Sequence, residues 1–219
     1  SLGLRARRNR RVACSYFVND GWTLRLTRVP VIIVPMQPAL IIPAFDAYLA
    51  VRGLRFEAVV IGGAALVLLG IVQRTTDDCD VLDPQIPSII SNAAREFARE
   101  QGIASDWLNS KAHDFVGVPG CLPEGWRHRL RSAFAGAALH LDTLGRADLL
   151  CTKLVALVDR GTDFQDCVAL GPTEAELRAA WPFVAQYEGN PESRDGYWLP
   201  LARRQLSRLA EELGYHAVF

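Results

Sequence analysis

Residues 59–83, reading VVIGGAALVLLGIVQRTTDDCDVLD, constrain this chain more than any other stretch. A short apolar run ends in Gly62-Gly63, and an apolar, helix-like segment follows over residues 64–69. Arg74-Thr75-Thr76-Asp77 then leads into Asp78-Cys79-Asp80, inside a short piece of strand character. Strand side chains alternate, so Asp78 and Asp80 project from one face and Cys79 and Val81 from the other. Two carboxylates crowded on one face repel. They stay ionised most easily around a cation, and hard oxygen ligands suit Mg²⁺. A Gly pair at a strand-to-helix turn leaves backbone N–H groups free and admits a phosphate where a Cβ would otherwise stand. A phosphate cradle beside a metal-binding carboxylate pair points to chemistry on a nucleoside triphosphate. One or two Mg²⁺ ions are expected on Asp78 and Asp80.

At 219 residues, half of them hydrophobic, the chain is long enough for one domain with an appended helical part. The formal net charge is zero but unevenly spread. Residues 1–35 hold seven Arg against the single acid Asp20, a net of +6, which leaves −6 for the remainder. An acidic body suits metal binding and argues against a strong non-specific grip on polyanions. The five cysteines, Cys14, Cys79, Cys121, Cys151 and Cys167, are scattered without CxxC spacing. They read as reduced thiols of a cytoplasmic protein rather than as a disulfide framework or a zinc site. The longest apolar stretch, residues 59–72, is broken by glycines and falls short of the roughly 20 residues a membrane span needs, so no membrane role is expected.

Taken in order, the chain opens with the basic arm of residues 1–35. It is read as a surface that touches RNA or a membrane, as a targeting peptide, or as a stretch preceding a natural start at Met36, the only methionine; the last is preferred. Residues 22–28 alternate like a strand. Residues 38–53 have helical character, with Leu40, Phe45, Leu49 and Val51 expected inward. Strands are expected at 56–61 and 78–82, with Asp83-Pro84 ending the second. A second amphipathic helix runs over 86–101, with Ile89, Ile90, Ala93, Ala94, Phe97 and Ala98 as its core stripe. Trp107 and Asn109 follow in a loop, either facing a base or acceptor or, for the Trp, plugging the core edge. Two more strands are expected around 129–134 and 138–141.

The second constellation is residues 148–167, DLLCTKLVALVDRGTDFQDC. Leu149, Leu150, Leu154, Leu157 and Val158 form a helical stripe that Gly161 ends. Lys153 and Arg160 lie two turns apart on one face. Asp163 and Asp166, in a following helix, also share a face. The chain has 22 Arg and only two Lys, Lys111 and Lys153. A compact ammonium on a flexible stem suits a phosphate site, which gives Lys153 a functional reading. The alternative is an interhelical ion-pair set of Lys153 and Arg160 with Asp163 and Asp166. From Thr173 the chain turns helical again, with a last helix over 198–213.

Gly62-Gly63, fourteen residues and then Asp78-Cys79-Asp80 resemble the signature of the nucleotidyltransferase superfamily, polymerase-beta-like in kind. The lead-in through Arg74, Thr76 and Asp78 is similar to bacterial minimal nucleotidyltransferases, including the AbiEii type. The stretch from Lys153 through Arg160, Asp163 and Asp166 resembles the block that follows the sheet in those proteins, where the Lys serves the triphosphate and the Asp residues help build the site. The resemblance covers about residues 38–214. It implies an α/β (α+β) nucleotidyltransferase fold, with a short mixed sheet flanked by helices and a C-terminal helical part. The expected layout is a basic arm over 1–35, a core over 36–144 and a helical part over 145–219 that completes the cleft.

By the same resemblance a third carboxylate is expected on a late strand. Asp142 is the nearest candidate, with His140 a weaker candidate as general base. The expected catalytic set is therefore Asp78, Asp80, Lys153 and Asp142. The expected nucleotide-binding set is Gly62, Gly63, Arg74, Thr76, Lys153, Arg160, Asp163 and Asp166. The implied activity is transfer of a nucleoside monophosphate from a nucleoside triphosphate to a tRNA end, a protein side chain or a small molecule. A toxin–antitoxin setting with a partner protein is also implied. The alternative is a catalytically silent nucleotide-binding or antitoxin-like module.

Overall fold

A computed structural model describes residues 34–187 and 196–215. Residues 1–33, including the arm and the strand expected near 22–28, lie outside the described residues. All the described residues belong to one compact unit. Met36 is a buried part of it. Its backbone pairs with Thr76 in both directions, N–H to carbonyl, at 3.1 and 2.9 Å.

The described chain runs α1 (Pro38–Val51), β1 (Phe56–Ile61), α2 (Gly62–Leu68), β2 (Cys79–Asp83), α3 (Ser88–Gln101) and β3 (Leu108–Asn109). It continues through β4 (Arg131–Ala135), β5 (Leu139–Thr143), α4 (Arg146–Arg160), α5 (Phe164–Leu170), α6 (Glu174–Ala185) and α7 (Trp198–Glu212). The strands form one mixed sheet in the order β3-β2-β1-β5-β4. β1 is antiparallel to β2 and parallel to β5. β3 is parallel to β2, and β4 is antiparallel to β5.

Each sheet face has its own core. Phe56, Ala58 and Val60 of β1, Cys79 and Val81 of β2, and Leu139 and Leu141 of β5 pack with Ile42, Phe45 and Leu49 of α1 and with the Ala-rich stripe of α3. Alternation turns Val59 and Leu82 the other way, into a cluster built mainly by α4 to α7. Asp46 on α1 ties the first layer to the β4–β5 turn. Its carboxylate accepts from the N–H groups of Ala137, Ala138 and Leu139 at 3.1, 2.8 and 2.8 Å.

Side-chain direction departs from expectation in α1 and α3. Leu40 and Val51 are exposed, at 66% and 86%, and so is Ile89, at 58%. The buried residues of α1 are Pro38, Ile42, Phe45 and Leu49, a spacing of four, three and four that draws a single seam. An almost uniformly apolar helix offers no contrast from which to read that seam. β2 starts at Cys79, one residue later than expected, so Asp78 stands just before the strand.

Candidate functional site

The antiparallel ladder between β1 and β2 places Ile61 opposite Asp80, so the end of β1 meets the start of β2. The two glycines therefore sit beside the carboxylate pair. Gly62 has φ +78°, a left-handed conformation that L side chains rarely adopt, and a Cβ there would lie 3.3 Å from Asp80 Oδ2. A Cβ on Gly63 would lie 2.9 Å from Thr76 Cγ2 and 3.0 Å from Arg74 Nη2. Glycine is needed at both positions, because the signature residues close around them. Thr76 is buried and shapes the turn: its hydroxyl donates to the Asp78 carbonyl at 2.9 Å.

Asp78 is half-buried. Asn109 Nδ2 donates to Asp78 Oδ2 at 3.2 Å, while Asn109 Oδ1 accepts from the Lys111 N–H at 3.0 Å. Burial raises the Asp78 carboxyl above its ordinary range. The neighbouring Asp80 charge pushes it further the same way, and Lys111 pulls part of it back. β3 brings Asn109 directly alongside Asp80. An open surface depression of about 300 Å³ adjoins it, lined by Gln85, Ser91, Arg95, Asp106, Asn109 and Ser110 among others.

The second constellation closes on the first. Lys153 on α4 is 5% exposed, and its ammonium donates to Asp163 Oδ1 at 2.8 Å and to Asp166 Oδ2 at 2.7 Å. Arg160 Nη2 donates to Asp163 Oδ2 at 3.1 Å. Arg74 Nη2 reaches Asp166, which is 92 residues away in sequence, at 3.0 and 2.9 Å to its two oxygens. Burial pushes the Asp163 carboxyl up, but the hydrogen bond and charge of Lys153, with Arg160 and Thr162, outweigh it and hold it below its ordinary value. The ion-pair set considered as an alternative is thus formed. It extends through Arg74 to the glycine turn.

Asp142 lies opposite Val59 and is separated from Asp80 by the whole of β1, about 10 Å across the sheet. Its carboxylate meets His140 Nε2 at 3.2 Å instead. The side chain next to Asp80 on the adjoining strand is the neutral Asn109, and no group of three or more His, Cys, Asp or Glu suited to a metal ion forms among the described residues. Of the two readings open for Trp107, the structure shows the core one. It is fully buried against Phe45 and Phe97, and its indole N–H donates to the Ala94 carbonyl at 3.1 Å. Lys111, one of the two lysines, has no local signal that marks a role; the β2–β3 pairing brings its charge near Asp78.

A glycine turn and a carboxylate pair on a mixed sheet, closed by helices that carry a buried Lys–Asp network, define a nucleotidyltransferase-type α/β fold. Residues 42–170, more than half of the chain, match the family described as "Nucleotidyltransferase of unknown function (DUF6036)", and the chain belongs to that family. The match spans the glycine signature and the Lys–Asp block and ends with α5. No curated protein and no solved structure matches the chain. No helix among the described residues is long and apolar enough to cross a membrane.

Proposed function

We propose that the chain transfers a nucleoside monophosphate from a nucleoside triphosphate to an acceptor hydroxyl, with Mg²⁺ held by Asp78 and Asp80. The observation that carries this reading is the meeting of three features within one patch: the Gly62-Gly63 turn, the carboxylate pair, and the Arg74 guanidinium standing 3.0 Å from where a Gly63 Cβ would be.

The donor set fits the metal. Two carboxylates, one of them unfavourably charged in the free protein, are what Mg²⁺ takes when substrate phosphates and water complete its shell. Bound there, Mg²⁺ would supply charge neutralisation on the phosphate oxygens. The chain's own groups do the rest. Backbone amides at Gly62 and Gly63 receive the phosphates, and Arg74 offsets charge that develops on the departing pyrophosphate. The acceptor hydroxyl gives its proton to a carboxylate. Its oxygen bonds to the α-phosphorus as the bond to the bridging oxygen breaks, and pyrophosphate carries the electron pair away. Such catalysis is mostly positioning and electrostatics.

A second reading, a nucleotide-binding or antitoxin-like module that does not turn over, is favoured by the neutral Asn109 beside Asp80 and by the engagement of Asp142 with His140.

Calorimetric titration of the four nucleoside triphosphates, with and without Mg²⁺, tests both readings on wild type and on the Asp78→Asn/Asp80→Asn double variant. Mg²⁺-dependent binding that the double variant loses is expected. Absence of any binding to wild type would overturn both. Pyrophosphate release from the bound triphosphate, assayed with RNA, protein and small-molecule acceptors, then separates transfer from silent binding.

A further inference from the structure

The charges around Lys153 do not suit a group that waits for phosphate. Lys153, Asp163 and Asp166 are all buried and sum to −1. A triphosphate approaching this ammonium would meet two carboxylates that already hold it at 2.7 and 2.8 Å. The surplus negative charge points outward instead, and two arginines answer it. Arg160 pairs with Asp163 and Arg74 with Asp166, and the arginine side chains are 61% and 46% exposed while their acids are buried. Arg74 is the one that lies against Gly63.

We propose that Lys153 is a positioning residue that never touches the nucleotide: it fixes Asp166, and Asp166 aims Arg74 over the Gly63 turn. The phosphate-contacting cation is then Arg74, and the C-terminal helices α4 and α5 control the cradle through a single chain of ion pairs, Lys153 to Asp166 to Arg74. This inference rests on the nucleotide reading of the site. Asp166 is shared. Its Oδ2 takes the Lys153 ammonium, and both of its oxygens take Arg74 Nη2. Without the ammonium, two buried acids face each other and one is driven to take up a proton. The charge that holds Arg74 is weakened at its source.

A double-variant cycle on Mg²⁺–triphosphate affinity separates this role from direct contact. Arg74→Ala is expected to weaken binding by about tenfold or more, the scale of one lost charge-assisted hydrogen bond. Lys153→Met is expected to weaken it less. The double variant should bind no worse than Arg74→Ala alone. Losses that multiply would mean that Lys153 reaches the nucleotide itself, and would overturn the proposal. Where Lys153→Met fails to fold, Asp166→Asn takes its place in the cycle, since Lys153 keeps Asp163 as a partner.

A second measurement needs no nucleotide. The guanidinium of Arg74, identified by its disappearance in Arg74→Lys, is followed by nitrogen NMR. It is expected to be pinned in wild type and to rotate freely in Lys153→Met and Asp166→Asn. An Arg74 that stays pinned in both variants overturns the proposal. If wild type binds no triphosphate with Mg²⁺, the nucleotide reading fails, and the guanidinium signal alone decides whether Lys153 positions Arg74.

Discussion

Asp78 carries a cost that the proposed Mg²⁺ site would explain. Its carboxyl is raised in the folded protein by burial and by Asp80. The folded state therefore binds the proton more tightly than the unfolded chain does. Stability contributed by this group falls as pH rises from the ordinary carboxylate range through the raised value, and the penalty is fully present at neutral pH. Asp78→Asn is expected to raise the melting temperature of the metal-free protein at pH 7 by about 1–3 °C, partial exposure keeping the effect small. The same variant should lose Mg²⁺-dependent triphosphate binding. A fall in melting temperature would show that the pair is stabilising without a cation. Gly63→Ala is the converse case. Its Cβ would press on Thr76 and Arg74, so a cost of about 1–3 kcal/mol in chemical denaturation is expected, with weakened triphosphate affinity. The thiols make a third residue-scale case. Burial pushes the Cys79 thiol well up, that of Cys151 to about 11 and that of Cys167 to about 12. None of the three should react with an alkylating reagent at pH 8 until the protein unfolds, which mass spectrometry of the labelled peptides reads directly.

At the scale of elements, α6 is the best-signalled helix of the chain. Thr173 caps it, with Glu176 N–H donating to the Thr173 hydroxyl at 3.2 Å and Thr173 N–H donating to Glu176 Oε2 at 2.8 Å. Glu176 also receives Arg146 from the start of α4, at 2.7 Å to Oε1, so one carboxylate closes a helix end and joins two helices. The Arg146 hydrogen bond, followed by that of the Thr173 backbone, lowers the Glu176 pKa from 4.5 to about 2. A depressed carboxyl contributes stability that is fully present above its unfolded value and is lost as pH falls from about 4.5 towards about 2. Glu176→Gln is expected to cost about 1–2 kcal/mol at pH 7 and less at pH 3. Equal costs at both pH values would mean that the charge contributes nothing. The same logic covers Asp163, whose lowered carboxyl ties the start of α5 to Lys153 and is likewise lost in acid.

At the scale of the molecule, the sheet separates two cores, and the candidate site lies where the end of β1 meets the start of β2. Trp107 belongs to the first core but guards the site. Its carbonyl accepts from Cys79 N–H, which holds β3 against β2 and so holds Asn109 beside Asp80. Trp107→Ala is expected to cost about 3–5 kcal/mol and to loosen the Asn109–Asp78 contact as well. Denaturant unfolding with and without Mg²⁺–triphosphate checks both parts, since a ligand that binds only the folded protein adds stability in proportion to its affinity.

What the sequence determined by itself is local or periodic. β1, the start of α1, the Gly62-Gly63 turn and the Thr173 start of α6 all rest on alternation, helical spacing or capping chemistry within a few residues. Lys153, Arg160, Asp163 and Asp166 were singled out for the same reason, as neighbours on successive helix faces. The tertiary structure alone decided which of the marked groups meet. Arg74 and Asp166 pair across 92 residues, and nothing in either segment specifies the other. Asp142 is an acid on a late strand, yet strand order puts β1 between it and the pair and gives the adjoining place to Asn109. Sheet order and register come from burying two faces at once, a condition on the whole chain that no single segment carries.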